Sequence, residues 1–223
     1  MADKLAFLKA SPFFAGMSQE KLDAISQRVF EKSLARGQMA LNEGTEAGAL
    51  YFVAEGVIKL FKTSAEGKEQ IIALMRPGDS FNDVPMFDRG PAPANAQALG
   101  PVTLFGIQRD DLDTMIKQYP ELSKNIIRVL AGRIRYLISL VEDLSFRSVV
   151  SRVSKILLEN IASPQVAGTR LTQRDMAAMA GTAREVVSRS LRYLEDEKLI
   201  EVRGHQIVIH DKKGLEMMVE PGL

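Results

Sequence analysis

The sequence contains no cysteine and only two histidines. Without cysteine the chain cannot form disulfides, thiolate zinc sites or cysteine-ligated iron–sulfur clusters, and it lacks a cysteine nucleophile. No apolar run approaches the roughly 18 residues that a membrane-spanning helix requires. The N-terminus shows no basic segment leading into a long apolar core, so no signal peptide is predicted and a cytoplasmic location is expected.

The chain also lacks an excess of charge of either sign, since it contains 29 Lys and Arg residues and 28 Asp and Glu residues. The whole-chain charge therefore identifies no partner. Apolar residues make up 46% of the chain and charged residues 26%, which is enough to bury a core and excludes disorder. A length of 223 residues suits one large domain or two modest ones.

The first part of the chain is predicted to form short helices followed by a β-rich region. Ser18 is expected to start a helix in which Leu22, Ile25 and Val29 share one stripe. From about 31 to 109 glycine recurs between short β-rich runs, and no helix of normal length fits before Arg109. Gly56 and Gly67, each after a glutamate, indicate hairpins. This texture predicts a small β-barrel or roll.

A long helix is predicted after Pro120. Its apolar residues repeat at intervals of 3, 4, 3, 4 and 3 residues, the a/d spacing of a coiled-coil seam. A single stripe of this kind also fits a helix packed on its own domain. Apolar residues outside the stripe can serve that packing, so the stripe is predicted to form a homodimer with a parallel second copy. The predicted dimer residues are Ile127, Leu130, Ile134, Leu137, Val141 and Leu144. Residues 145–148 are expected to be a hinge before a helix over 149–162, and 163–168 are expected to form a loop.

Residues 171–194 have the pattern of a helix-turn-helix. Thr172 is placed to cap the first helix, and Gly181 lies where the chain must turn into the second. The second helix would bury its apolar face and present polar side chains outward in its first turns, where such a helix reads the DNA major groove. Two short strands around Gly204 would add a wing. The predicted DNA-binding residues are Thr172, Arg184, Glu185, Ser188, Arg189 and Arg192.

The chemistry of these side chains fits base reading. Arginine matches the two acceptors of guanine, and glutamate accepts from cytosine N4. The competing interpretation is an ordinary helical hairpin with a solvated charged face. The position of Arg184, Glu185, Ser188 and Arg189 in the first two turns favours double-stranded DNA as the partner.

The run from Gly181 to Arg189 resembles the CRP/FNR family of bacterial transcription regulators, and the likeness extends over nearly the whole chain. It implies an α+β fold with a cyclic-nucleotide-binding-like roll over 1–120, a dimerisation helix over 121–145 and a winged helix-turn-helix over 146–223. It also implies RNA polymerase as a partner and a pseudo-palindromic site with TTGA-like or TGTGA-like half-sites. By resemblance, Arg189 and Glu185 read a central G·C pair, and Arg184 adds a guanine or phosphate contact.

The resemblance is weaker where relatives bind cyclic nucleotides. Those relatives carry a Gly-Glu pair for the ribose and an arginine for the phosphate, where this sequence has Asn82, Asp83 and Pro93. Their dimer-helix hydroxyls, which contact adenine, align with Leu137 and Ile138. Because a buried phosphate needs a charge-assisted partner, cyclic AMP is not expected to bind. The sequence does not identify a cofactor, and the expected regulator responds either to another small molecule or to no effector at all.

An effector pocket is nevertheless predicted near Asn82, Asp83, Pro93, Asn95, Leu137 and Ile138. A haem-based sensor of CO or NO is the alternative for this family, although His205 and His210 both fall in the wing and none falls in the roll. A metal-dependent roll enzyme needs clustered histidines, so neither a metal site nor enzymatic activity is predicted. A small-molecule-binding module that has lost DNA binding is a third alternative.

Overall fold

A computed structural model describes residues 3–46, 48–161, 171–204 and 206–219. The chain forms two compact units, one made of Met1–Lys62 and Ile72–Arg135 and the other of Thr63–Ile71 and Tyr136–Leu223. The helices are α1 (Lys4–Ala10), α2 (Gln19–Ser26), α3 (Asp83–Asp88), α4 (Arg109–Gln118), α5 (Pro120–Phe146), α6 (Val149–Ile161), α7 (Gln173–Ala180), α8 (Arg184–Asp196) and α9 (Lys212–Val219), with a 3-10 turn at Pro12–Phe14.

Two four-stranded sheets form the β-roll, in the orders β1-β8-β3-β6 and β2-β7-β4-β5, and β9 pairs with β10. The mixed α+β class and the roll predicted from the glycine spacing are confirmed. The strands are β1 (Val29–Leu34), β2 (Met39–Leu41), β3 (Ala49–Glu55), β4 (Ile58–Thr63), β5 (Glu69–Met75), β6 (Ser80–Phe81), β7 (Asn95–Ala98), β8 (Val102–Gln108), β9 (Ile200–Arg203) and β10 (Gln206–Ile209).

One of the two predicted hairpins is wrong. Gly56 connects β3 to β4, but β3 pairs with β8 and β4 pairs with β7, in the other sheet. Its φ of +84° turns the chain from one sheet to the next. Gly67, at φ +78°, lies between β4 and β5, which are neighbours in one sheet, so that hairpin is confirmed.

The helical stripe predicted from Ser18 is too long. Ser18 does precede α2, but the helix ends at Ser26, and Val29 begins β1 opposite Ile107 of β8. Leu22, Ile25 and Val29 are all buried in one apolar cluster, whichever element carries them. Because Val29 would be buried in a helix as well as in a strand, apolar spacing alone does not show where α2 ends.

The first unit is centred on aromatic packing between the N-terminal segments and the roll. Phe13 meets the ring of Phe52 edge-on at 5.2 Å between centroids, and Phe7 meets Phe105 in the same way at 5.2 Å. The start of α5 joins this core through Leu122 and Ile126, which are almost fully buried. Packing of this kind fixes the first turns of α5 against the roll.

The second unit has its own apolar core, built from α6, α7, α8, the β9–β10 hairpin and α9. Its most buried members include Val153, Leu157, Val187, Leu194 and Leu215. Ser148 starts α6 because its hydroxyl accepts from the Ser151 N–H at 3.1 Å. The predicted hinge over 145–148 is shorter than expected, since α5 runs on through Phe146. The predicted loop over 163–168 lies outside the described residues.

Candidate nucleic-acid interface

The turn between α7 and α8 is fixed by local contacts. The Thr172 hydroxyl accepts from the Asp175 N–H at 3.1 Å, and the Asp175 carboxylate accepts in return from the Thr172 N–H at 2.9 Å. This reciprocal capping box starts α7 as predicted. Gly181 ends the helix with φ +62°, a left-handed conformation that suits glycine. Both devices set the direction in which α8 leaves the turn.

Helix α8 has one buried and one exposed face. Val187, Leu191 and Leu194 are buried in the core of the second unit. Arg184, Glu185, Arg189 and Arg192 are exposed and Ser188 is half-buried on the other face. Within the described part of the chain, none of these four charged side chains forms an ion pair or a hydrogen bond. Their charges are therefore available to a partner.

These side chains line one open depression of about 480 Å3 together with Gln173, at the first position of α7. The sequence analysis did not select Gln173. Its neighbour Thr172 was selected, but the Thr172 hydroxyl also donates to the Asp175 carboxylate at 2.7 Å and is occupied by the cap. The sequence signal that could have found Gln173 is its position directly after Thr172, the cap residue that the sequence analysis did select.

The wing carries a compact charged group. The Glu201 carboxylate accepts two hydrogen bonds from the Arg203 guanidinium, at 2.8 and 2.9 Å, and lies 3.0 Å from Nε2 of His210. The bonds from Arg203, and then that of His210, lower the pKa of the Glu201 carboxyl to about 2. His210 thus has a partner on the wing, while His205 lies outside the described residues.

The predicted dimer stripe is mostly exposed in the single chain. Ile127, Ile134, Leu137, Val141 and Leu144 each expose between 39% and 65% of their surface. Leu130 differs, because it is partly buried against the core of the first unit. Exposed apolar side chains at seam spacing on one long helix are typical of a surface that a second helix covers.

Two of the predicted effector residues lie at the start of α3. Asn82 and Asp83 are buried, and the Asn82 amide donates to the Ala49 carbonyl at 2.7 Å. Asp83 forms an ion pair with Arg133 of α5, a residue that the sequence analysis did not select. The Arg133 guanidinium also donates to the Ser80 hydroxyl at 2.7 Å. Burial lowers the pKa of Arg133 from its usual value, and the charge of Asp79 acts in the opposite direction.

The other predicted effector residues have separate environments. The Pro93 carbonyl accepts from the Lys62 ammonium at 3.2 Å, and the Asn95 carboxamide oxygen accepts from the Glu43 N–H at 3.0 Å. Leu137 and Ile138 lie on the exposed part of α5 in the second unit.

Comparison with known proteins decides the family. A cyclic nucleotide-binding domain model matches residues 31–119, and a Crp-like helix-turn-helix domain model matches residues 151–218. The cyclic AMP receptor protein of Thermus thermophilus is 30% identical over 94% of this chain and 97% of its own length. The chain belongs to the CRP/FNR family of transcription regulators.

Two other CRP/FNR proteins illustrate the range of the match. The CRP-like cAMP-activated global transcriptional regulator of Mycobacterium tuberculosis is 28% identical over 93% of this chain and 96% of its own length. The structure of FixK2 from Bradyrhizobium japonicum covers 87% of this chain and 99% of its own, with a TM-score of 0.76 and 24% identity, and it supports the fold. The relatives and the helix-turn-helix model together make this protein a transcription regulator of the CRP/FNR type.

The described residues of this CRP/FNR regulator lack two further features. No helix there is long and apolar enough to cross a membrane. Within the same ranges, His, Asp and Glu side chains form no group of three or more that could hold a metal ion.

Proposed function

We propose that the protein binds a pseudo-palindromic DNA site as a homodimer, with one α8 helix in each of two successive major grooves. The observation that carries the proposal is the set of exposed, unpaired charged side chains on the first turns of α8, next to a rigid capped turn. In helix-turn-helix dimers the two half-sites lie about 34 Å apart, one turn of the double helix. The protein would act on chromosomal DNA in the cytoplasm as a regulator rather than an enzyme, with RNA polymerase as a further partner.

The side chains divide by their position along α8. Arg189 and Glu185 are proposed to read one G·C pair, with Arg184 on a neighbouring guanine or phosphate and Ser188 between them. The proposed half-sites, taken from the resemblance to the CRP/FNR family, are TTGA-like or TGTGA-like. Arg192 lies one turn beyond Arg189, further from the start of the helix, and is proposed to contact phosphate. Thr172, at the start of the capped helix α7, is also proposed to contact phosphate.

The dimer is proposed to form along α5, through Ile127, Ile134, Leu137, Val141 and Leu144, with Leu130 shared between the seam and the roll. The proposed organisation is therefore an effector and sensor region over 1–120, a dimerisation helix over 121–145 and a DNA-binding region over 146–223. The exposed stripe supports this arrangement, because a second copy of α5 would remove its apolar surface from contact with water, which is favourable.

The effector is proposed to be a molecule other than cyclic AMP, or the protein works without one. The Thermus thermophilus and Mycobacterium tuberculosis relatives are cyclic-AMP proteins by name, so this is a proposed departure from those two. Its support is that Asp83 is ion-paired within the protein and that a proline occupies the place of the phosphate-binding arginine. We expect isothermal titration with 3′,5′-cyclic AMP to give no heat of binding, and DNA affinity to be unchanged by it. Binding in the micromolar range would refute this part of the proposal.

The DNA assignment can be tested by selecting a site from random duplexes with the wild-type protein and then measuring affinity for every single-base change. Arg189→Ala should lose about 1–3 kcal/mol of discrimination at one G·C pair and keep its preferences elsewhere. Arg192→Ala should weaken binding evenly on all sequences and reduce the salt slope by about 1. Lys9→Ala, which removes an exposed cation from α1 in the first unit, is the control and should change neither quantity. An even loss of affinity for Arg189→Ala would refute its base-reading role.

A further inference from the structure

One guanidinium group joins the helix-turn-helix to the end of α5 in the second unit. The carbonyl of Ala180, the last residue of α7, cannot accept a bond from within its own helix. It accepts instead from Nε of Arg152 on α6, at 2.8 Å. A partly buried side chain therefore satisfies the carbonyl next to the turn that sets the direction of α8.

The same side chain reaches the chain just beyond α5. A terminal nitrogen of Arg152 donates to the Arg147 carbonyl at 2.7 Å and lies 3.4 Å from the Asp143 carbonyl. The planar guanidinium presents these donors in a fixed fork. One side chain thus holds three backbone segments, the end of α5, the start of α6 and the end of α7, in one geometry.

Two neighbouring contacts stiffen this junction. The Asp143 carboxylate is nearly buried, accepts from Nε of Arg147 at 2.6 Å and pairs with the Lys155 ammonium. A Cβ placed on Gly181 would lie only 2.9 Å from a methyl group of Leu144. The turn therefore packs directly against the last turn of α5, with no room for a side chain between them.

We propose that Arg152 is a positioning residue that sets the angle between α8 and the dimer seam, and thereby the half-site spacing that the protein accepts. This inference rests on the proposed function, since it requires two α8 helices related by a seam along α5. Leu137, Val141 and Leu144 of that seam lie in the same compact unit as Arg152 and α8. A rigid junction between seam and α8 fixes where the second α8 lies relative to the first.

The geometry of the DNA double helix means that a rigid dimer should prefer one spacing between half-sites. With 10–10.5 base pairs per turn, one added base pair rotates a half-site by about 35° and moves it by about 3.4 Å. A rigid dimer binds such a site only if the DNA is twisted or bent, which costs free energy. A dimer with a loose junction follows the displaced half-site at little cost.

The experiment uses the full-length protein and the duplex selected by the wild type, with the spacing between half-sites changed by −2, −1, +1 and +2 base pairs. The wild type should prefer one spacing over its neighbours by about tenfold or more, since 1.4 kcal/mol of deformation corresponds to a factor of ten. Arg152→Met keeps the length of the side chain but removes its donors, and should bring the affinities for all spacings within about threefold of each other. Arg152→Lys keeps the charge without the fork and should give an intermediate ratio.

The matched control separates positioning from stability. Leu215→Ala creates a cavity in the core of the second unit but removes none of the Arg152 hydrogen bonds, and should lower the melting temperature without changing the ratio between spacings. If Arg152→Met is insoluble, the Arg152→Lys ratio decides the question. The positioning role would be overturned if the Arg152 variant prefers one spacing as strongly as the wild type does. It would also be overturned if Leu215→Ala loses the preference between spacings. A wild type that binds but accepts every spacing would overturn it too, whereas a wild type that binds no selected duplex would overturn the proposed function itself.

Discussion

The ion pair between Asp83 and Arg133 gives a prediction about the first unit. The Asp83 side chain is fully buried at the start of α3, and the Arg133 side chain on α5 is 29% exposed. Asp83→Asn removes the charge but keeps the shape, and leaves the guanidinium without its counter-ion. Arg133→Met removes the guanidinium and leaves the carboxylate buried and unpaired.

The two variants should differ in cost. Removing one partner of a buried pair typically costs about 3–5 kcal/mol, mostly because the other charge stays buried. The Arg133 side chain can regain water through its exposed part, so Asp83→Asn should cost about 2–3 kcal/mol, near or below the lower end. The Asp83 carboxylate has no such route, so Arg133→Met should cost the full 3–5 kcal/mol or so. The double variant leaves neither charge, and should be less destabilised than the sum of the singles by about 1–3 kcal/mol.

Differential scanning calorimetry of the four proteins measures this cycle. For a unit of this size about 1 kcal/mol shifts the melting temperature by roughly 3–5 °C, so Asp83→Asn should lower it by about 6–15 °C. Arg28→Met, which breaks an exposed pair with Asp111 in the same unit, is the control and should cost less than about 1 kcal/mol. Single-variant costs that add to within about 0.5 kcal/mol would show that the two groups do not interact, and the reasoning would fail.

Three shorter predictions follow from other parts of the chain. Leu137→Glu places a charge on the exposed α5 stripe and should convert the proposed dimer to a monomer in analytical ultracentrifugation. A variant that still sediments as a dimer would exclude this seam. Glu201→Gln should be less heat-stable than the wild type above pH 4.5, and the difference should vanish as the pH falls toward 2. The reason is that the lowered pKa of Glu201 shows that the folded protein stabilises its ionised carboxylate. A difference in heat stability that does not depend on pH would contradict this. Gly56→Ala should lower the free energy of unfolding in urea by more than about 3 kcal/mol, because its Cβ would lie 2.3 Å from the Pro101 carbonyl oxygen. Gly67→Ala, which has open space and a similar φ, should lower it by only about 1 kcal/mol. Equal losses in the two variants would refute the clash.

The sequence predicted the helix-turn-helix well because its determinants are local. Thr172 and Asp175 are three residues apart, and Gly181 ends the helix that they start. Each device acts on the nearest backbone groups and needs no distant partner. The limits of α7 and the exposed face of α8 followed directly from those positions.

The failures occurred where distant contacts decide the structure. Val29 fits a helical stripe, but pairing with Ile107 makes it a strand residue. Gly56 looks like a hairpin residue, and only the partners of β3 and β4 show that it joins two sheets. Asp83 and Arg133 are 50 positions apart in the sequence, and no local sequence pattern predicts that they form a pair. Tertiary contact overrides local preference at such positions.

The unpaired arginines at the start of α8 support the proposed DNA interface better than net charge does. The whole chain carries a formal charge of only +1. Arg133, Arg152 and Arg203 are each held by acceptors within their own unit, so their charges are already used. Among the residues that the structure describes, Arg184 and Arg189 are exposed at the start of α8 with no such acceptor. Exposed cations without internal partners at the start of a helix-turn-helix recognition helix are the arrangement that an anionic duplex would complete.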